Sequence, residues 1–398
     1  MTGPGDQEPK MANTFDAIVN QIFARGLLAL RQHAIMPRLI NTDWSTEVAK
    51  QGDTVNVPVP SAVIVDDVTP GPTPPAGGNS TPSSVAIVLD RWKKSDMFVT
   101  DKEAREVAVG ARDLQLSEHL KALANYVDAE ILAMYKGVYG YAGTAGTTPF
   151  AGGGTPDLAE AVAVDRVLND QLAPTEPRNM VLGTAAKANA LLVRAVQDAS
   201  FRRAGEDTLS SAMIGDLLGF MWAMDQNIPT HTAGTITTGL VAKASTAVAV
   251  GTKSFAATTA ASTGACALKE GDIINIAGHS QTYVLTADAT QASAATDVTL
   301  AIEPGLEIAL AGSEAITVKS SHVANLGFHR DAFALATRTL GPADGFMGGN
   351  VMRAAVDPIS GLTLTLEVSR EYARTKYQWR ILYGVKLVRR ELACRLAG

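Results

Sequence analysis

Six histidines, two cysteines and 40 acidic residues are the groups from which a catalytic or metal site in this 398-residue chain would be built. His33, His119, His231, His279, His322 and His329 are scattered, and only His322 and His329 are near each other in sequence. Seven residues apart on different elements is poor ligand spacing, so the histidines read as surface or capping groups. Cys266 and Cys394 are too far apart for a CxxC clip or a disulfide framework, and read as two buried thiols. The chain has no GxSxG elbow, no HExxH and no GxxxxGK[ST] cradle. Gly137, Gly140 and Gly143 lack that spacing and a preceding strand, and read as a flexible loop. Asp66-Asp67, Glu103 and Glu106 pair carboxylates, but with no apolar pocket to raise a pKa they read as solvated charge. The expectation is a chain without catalytic residues, cofactor or metal.

One constellation suits contact better than catalysis. Trp92-Lys93-Lys94 sets an aromatic ring beside two cations, a set that touches phosphate or buries its ring on a partner protein, and the protein partner is the favoured reading. A net charge of −6 argues against tight nucleic-acid binding by bulk charge, leaving only weak, local contact with DNA.

The chain that positions these residues is long enough for more than one core, since single cores stop growing near roughly 250–300 residues. Its 46% hydrophobic and 19% charged residues are ordinary for a folded protein. No apolar run reaches the ~18–20 residues that cross a bilayer, and MTGPGDQEPK lacks the apolar segment of a secretion signal, so synthesis in the cytosol is expected. Met11-Ala-Asn reads as a natural start, which makes residues 1–10 a tail or tag remnant. The glycosylation sequon Asn79-Ser80-Thr81 then has no meaning.

Phe15, Ile18, Val19, Ile22, Phe23, Leu27 and Leu30 recur at helical spacing, predicting an amphipathic helix over residues 14–33 that stops at Met36-Pro37. Val55, Val57 and Val59 alternate as a strand that Pro58 and Pro60 place on an edge, and residues 62–68 prolong it. Thr69 to Pro82, with five prolines and three glycines, is predicted to be an exposed tip. A second strand returns through Val85 and Ile87 and runs on past Trp92, Lys93 and Lys94 to Val99. A lone two-stranded hairpin is marginal in water, so its apolar side chains are predicted to need cover from outside this chain.

Asp101 to Tyr139 carries the longest helical stripe, from Leu116 to Tyr135, and predicts a spine helix. Thr155-Pro156 should start a helix to about Leu172, Asn179 to Leu182 a buried strand, and Thr184 a helix to about Val196. From Pro229 the chain turns rich in Ala, Thr, Ser and Gly. Short alternating runs at Asp272–Ile276, Thr282–Leu285, Val298–Ile302 and Ala315–Val318 predict a small β-barrel inserted at residues 229–324. Helix and mixed sheet resume after it, with TLTLEV at Leu362–Val368 alternating cleanly and strands expected at Trp379–Leu387 and Glu391–Leu396. The fold class predicted is α+β.

The order of these parts resembles the major capsid proteins of tailed bacteriophages with the Hong Kong 97-like fold, from Met11 onward. It looks most like the coat proteins of the Salmonella short-tailed phages, which carry an inserted barrel. The likeness rests on Leu268-Lys269-Glu270-Gly271-Asp272 to Ile276-Ala277-Gly278, on Ile302-Glu303-Pro304, and on Ile214-Gly215 to Gly219-Phe220 leading to Pro229-Thr230-His231-Thr232-Ala233-Gly234. Leu382-Tyr383-Gly384-Val385-Lys386 completes it.

The resemblance implies an N-terminal arm (11–50) and an extended loop (51–100). Residues 101–228 would form the spine helix, peripheral domain and first part of the axial domain, followed by the inserted domain (229–324) and the rest of the axial domain with C-terminal peripheral strands (325–398). It further implies self-assembly into hexamers and pentamers through the arm and loop, for which the residues are Phe15, Ile18, Ile22, Val55, Val57, Val59, Val85, Ile87, Trp92, Lys93 and Lys94. Scaffolding and portal proteins, packaged double-stranded DNA and a decoration protein are the partners implied, with no membrane, and the virion capsid is the implied location. A bacterial nanocompartment shell of the same fold, some other lattice protein, and a modular enzyme or binding protein stand as alternatives.

Overall fold

Leu120, Leu123, Ala124, Val127, Ile131 and Leu132 recur every three or four residues, and the helix Val109–Leu132 turns this stripe inward. The computed structural model describes residues 22–28, 30, 33–44, 54–60, 70, 82–106, 109–151, 157–197, 214–236, 239–243, 247–259, 266–291, 297–339 and 351–398. Against the helix lies a five-stranded sheet. Its strands run in the order Phe333–Thr337, Arg374–Leu387, Thr363–Glu371 and Val351–Val356, with Arg91–Thr100 also paired to Arg374–Leu387. The period of two shows in Leu364, Leu366 and Val368 and in Trp379, Ile381 and Tyr383, all buried in the core that the helix closes.

A second, mixed sheet shares that core. Its order is Gly140–Gly143, Ala393–Ala397, His322–His329, Arg178–Leu182, Phe220–Met224 and Asp216–Leu217, and Thr230–His231 pairs separately with His322–His329. The helix Ala159–Asp170 packs on its first two strands. This helix begins after Leu158, with the Asp157 carboxylate accepting from the Ala159 N–H; the expected start at Thr155-Pro156 lies outside the described residues. The next helix, Thr184–Leu192, has Gly183 at its N-cap and no side-chain cap, and a break at Val193 precedes a short turn, Arg194–Gln197.

Between Leu240 and Val318 six strands close into a barrel in the order Leu240–Ala242, Ser254–Thr259, Val298–Glu303, Thr282–Leu285, Ile273–Ile276 and Ala315–Val318. Closure comes from Leu240 pairing with Ile316. Inward-facing Phe255, Ile274, Ile276, Tyr283, Leu300 and Ile302 give the barrel a core of its own. The fold is α+β with a closed barrel, as the sequence predicts, and strands outweigh helices.

Three expectations need correction. Gly140–Gly143, read as part of a flexible loop, is a strand that pairs in parallel with Ala393–Ala397. The second strand of the hairpin is not continuous: Ser83–Val88 pairs with Thr54–Val59, the chain breaks at Leu89-Asp90, and Arg91–Thr100 leaves to join the five-stranded sheet. Nor does the described part of the hairpin need cover from outside. Val55, Val57 and Ile87 pack on Ala334 and Ala336, with Leu382 and Trp44 beside them. The seat is made of small residues: a Cβ added to Gly384 would lie 2.3 Å from the Val88 carbonyl oxygen, so only glycine lets the two backbones meet. Residues 61–69 and 71–81, which hold the predicted strand extension at 62–68 and most of the tip predicted at 69–82, lie outside the described residues.

Candidate functional site

The expected assembly residues fall into three groups. Val55 stands opposite Ile87 and Val57 opposite Val85, and Val59 continues that face opposite Ser83. Val55, Val57 and Ile87 are buried against the chain's own sheet, whereas Val59 and Val85 are half-buried. Ile22 packs beside Met97, Val99 and Tyr377, and Phe23 stacks on Trp379 with ring centres 6.1 Å apart, so this N-terminal segment docks on its own chain. Phe15 and Ile18 lie outside the described residues.

Alternation along Arg91–Thr100 sorts the third group. One face looks at the spine helix: Arg91 pairs with Glu130 at 2.8 Å, the Lys93 ammonium lies 4.9 Å from the centre of the Tyr126 ring, and Ser95 Oγ meets His119 Nδ1 at 2.7 Å. The opposite face carries Trp92, 59% exposed, with Lys94 in an ion pair with Asp96 and Phe98 under the Arg374 guanidinium. The structure therefore separates the Trp92-Lys93-Lys94 trio and presents the indole outward.

The acidic residues Glu103 and Glu106 read as solvated charge, but Glu103 has a structural task. Its carboxylate accepts from the Thr100 N–H at 2.9 Å, and its own N–H donates to Thr100 Oγ1, a reciprocal cap on the helix Asp101–Glu106. These bonds hold the Glu103 carboxyl below its ordinary range.

A cluster that spacing alone did not predict sits where the barrel joins the body. His231 is on the strand that leads into the barrel, His322 on the strand that leaves it, and the two are partners in the antiparallel ladder. Their rings are 5.3 Å apart. His231 Nε2 donates to Asp272 Oδ1 at 2.8 Å, and the Tyr135 hydroxyl, from the turn that ends the spine helix, donates to His231 Nδ1 at 3.0 Å. Asp272 also accepts from the backbone N–H groups of Lys269 and Gly234. A Cβ on residue 234 would come within 2.3 Å of the Ala267 carbonyl oxygen, so that approach requires glycine. Arg395 closes the cluster from the last strand: it donates to the carbonyls of Gly271 (2.7 Å) and Lys136 (3.1 Å) and lies over the Tyr135 ring. Burial lowers the Arg395 pKa to about 9, which leaves it charged at neutral pH.

Hydroxyl, imidazole and carboxylate in line is the order of a nucleophilic triad, but Tyr135, His231 and Asp272 are all buried and offer no face to a substrate. The chemistry this arrangement can do is to bind the barrel to the body. His329 is buried as well, and its Nδ1 accepts from the Asp331 N–H as a cap. His329 thus caps as expected, whereas His231 and His322, also expected at the surface or in caps, are internal because strands distant in sequence enclose them. Both cysteines are buried free thiols, as expected, and burial raises the pKa of each. Among the described residues no three His, Cys, Asp or Glu side chains gather as metal ligands, and no helix is long and apolar enough to cross a membrane.

No family model and no curated protein matches the sequence. Among solved structures, the capsid of the cyanophage P-SCSP1u is similar over 92% of this chain and 88% of that one, with 13% identity and a TM-score of 0.50. A structure from Mycobacterium phage Che8 is similar over 91% and 90%, at 14% identity and a TM-score of 0.47. The mature capsid of bacteriophage PhiM1 covers 88% and 83%, at 9% identity and 0.44.

Proposed function

We propose that this chain, whose fold matches that of a phage capsid protein, is a major capsid protein that closes with many copies of itself into an icosahedral shell around the double-stranded DNA of a tailed phage. The observation that carries the reading is the α+β fold shared along nearly the whole chain with the cyanophage capsid. Fold alone does not fix function, so the residues must agree with it. The array of Tyr135, His231 and Asp272, buried where the barrel joins the body, supports a structural part for these residues. The chain acts by tiling, through heterologous contacts between copies.

On this reading residues 11–50 are the arm and 51–100 the extended loop. Residues 101–228 and 325–398 build the peripheral and axial domains of a Hong Kong 97-like subunit, and 229–324 an inserted barrel of the Salmonella short-tailed phage type. Trp92 and the far part of the loop meet neighbouring copies. Scaffolding and portal proteins, weakly held DNA and a decoration protein are the further partners, with assembly in the host cytoplasm and the virion capsid as destination.

Negative-stain microscopy of the purified chain tests the reading. Closed icosahedral particles are expected when scaffolding protein is supplied, and irregular shells without it; a chain that even with scaffolding present stays monomeric or in small oligomers, or forms only sheets or tubes, would overturn it. Particles that protect DNA from nuclease support the phage assignment, and particles holding an enzyme cargo would make the chain a nanocompartment shell instead. Deleting residues 69–82 should leave folded subunits that assemble poorly, and normal particles from that variant would remove the loop from assembly.

A further inference from the structure

The neck of the barrel consists of two strands, and each carries one histidine at the same level of the ladder. Its surroundings limit the charge it can hold. His322 is 2% exposed; its Nδ1–H donates to the Ser320 carbonyl at 2.8 Å, and its Nε2 has no partner among the described residues. A proton on Nε2 would be a buried donor without an acceptor.

The groups facing His322 are set against that proton. The imidazole of His231 lies beside it on the paired strand, and the Tyr141 ring meets it edge-on at 5.7 Å. From the final strand comes the Arg395 guanidinium; the barrel turn supplies Asp272, already accepting from His231, Gly234 and Lys269. Tyr135 lies behind His231, and the Lys319 ammonium lies over Tyr141. Asp272, the carboxylate in contact with the histidine pair among the described residues, is thus committed, and a buried cation is already present.

Beyond the neck, the apolar contact between barrel and body among the described residues is small, formed by Ile273 and Val284 with Tyr139 and Tyr141, and a hydrogen bond runs from Thr282 Oγ1 to the Tyr139 carbonyl. The polar neck therefore decides whether the barrel stays docked.

We propose that the neck is a proton-sensitive hinge, in which protonation of His322 frees the barrel from the body while barrel and body each remain folded. The histidine is neutral in the docked state, and burial holds its pKa down at about 4. An undocked neck exposes it to water, where an imidazole titrates near 6.5. The docked form is thus favoured above about pH 6.5 and loses ground as the pH falls from there towards 4. At pH 5 the opening equilibrium should stand about 30-fold above its value at pH 7.5.

Hydrogen exchange on the full-length subunit, corrected for the intrinsic effect of pH, reads this directly and does not require assembly. Between pH 7.5 and 5, peptides covering 229–234, 269–273 and 320–324 should lose about 30-fold in protection, while Val298–Glu303 inside the barrel keeps its own. His322→Phe, which cannot take a proton, should flatten the pH dependence at the neck; His322→Asn, which can still donate to Ser320, serves if the first variant fails to fold. Protection at the neck that does not change with pH, or that falls equally in the variant that folds, would overturn the proposal. Loss of protection throughout the barrel would do so too, since it would mean unfolding.

Discussion

Asp128 stands inside the apolar stripe of the spine helix and is fully buried. Its carboxyl accepts from the N–H groups of Ile35 and Met36, where the arm turns into the short helix Met36–Leu39. Burial outweighs these donors and pushes its pKa up to about 8, with Asp225 nearby adding to the rise. The folded chain therefore holds this proton where the unfolded chain, titrating near 4, has released it. The stability contributed here is complete below about pH 4 and is lost at roughly 1.4 kcal/mol per unit as pH rises towards 8. Asp128→Asn keeps one of the two acceptor oxygens and cannot ionise, so it should start from a lower stability, but its urea midpoints at pH 5, 6.5 and 8 should fall less steeply than the parent's. Asp128 is not singled out by the sequence, although Ala124, Val127, Ile131 and Leu132 around it carry the apolar stripe on which it lies. Nor were the internal histidines legible, because His231 and His322 are enclosed only when their strands pair.

Elements were readable wherever a period of two or 3.6 ran without interruption. The runs Thr282–Leu285 and Ala315–Val318 coincide with strands, and TLTLEV lies in Thr363–Glu371. What the pattern did not carry was partnership. Val55, Val57 and Ile87 are apolar whether their cover is a neighbour or the chain itself, and the cover proved to be Ala334 and Ala336, whose small size left no signal of a seat. Glu103 reads as solvated charge in the sequence, although Thr100 followed three residues later by glutamate carries the signature of the cap that the structure forms. Gly384→Val tests the seat: with a branched side chain under the Val88 carbonyl, the hairpin base must lift from the sheet. Faster proteolysis of the hairpin is expected, with a loss of about 2–4 kcal/mol in urea. Unchanged cleavage and midpoint would mean that the two backbones need not touch.

At the scale of the molecule, two cores share one chain: the large one built from both sheets and the spine helix, and the barrel's own. A closed barrel leaves no open sheet edge and already buries Phe255, Ile274, Tyr283 and Leu300 among themselves. A fragment of residues 233–320 is therefore expected to fold alone, with a single cooperative thermal transition by circular dichroism; a fragment without one would make the barrel dependent on the body.

The paired strands of the neck have a last consequence. Because His231 and His322 are ladder partners, the body meets the barrel as two chain ends one strand spacing apart. To the body the whole insertion is an outsized hairpin turn, and the entropy of closing it is set at the ladder and hardly by what lies beyond. The neck is thus a graft site. A short turn, or a foreign domain whose termini lie close together, is expected to leave the register of the sheet below unchanged once Arg395 and His231, which lose Gly271 and Asp272 as partners, are replaced as well.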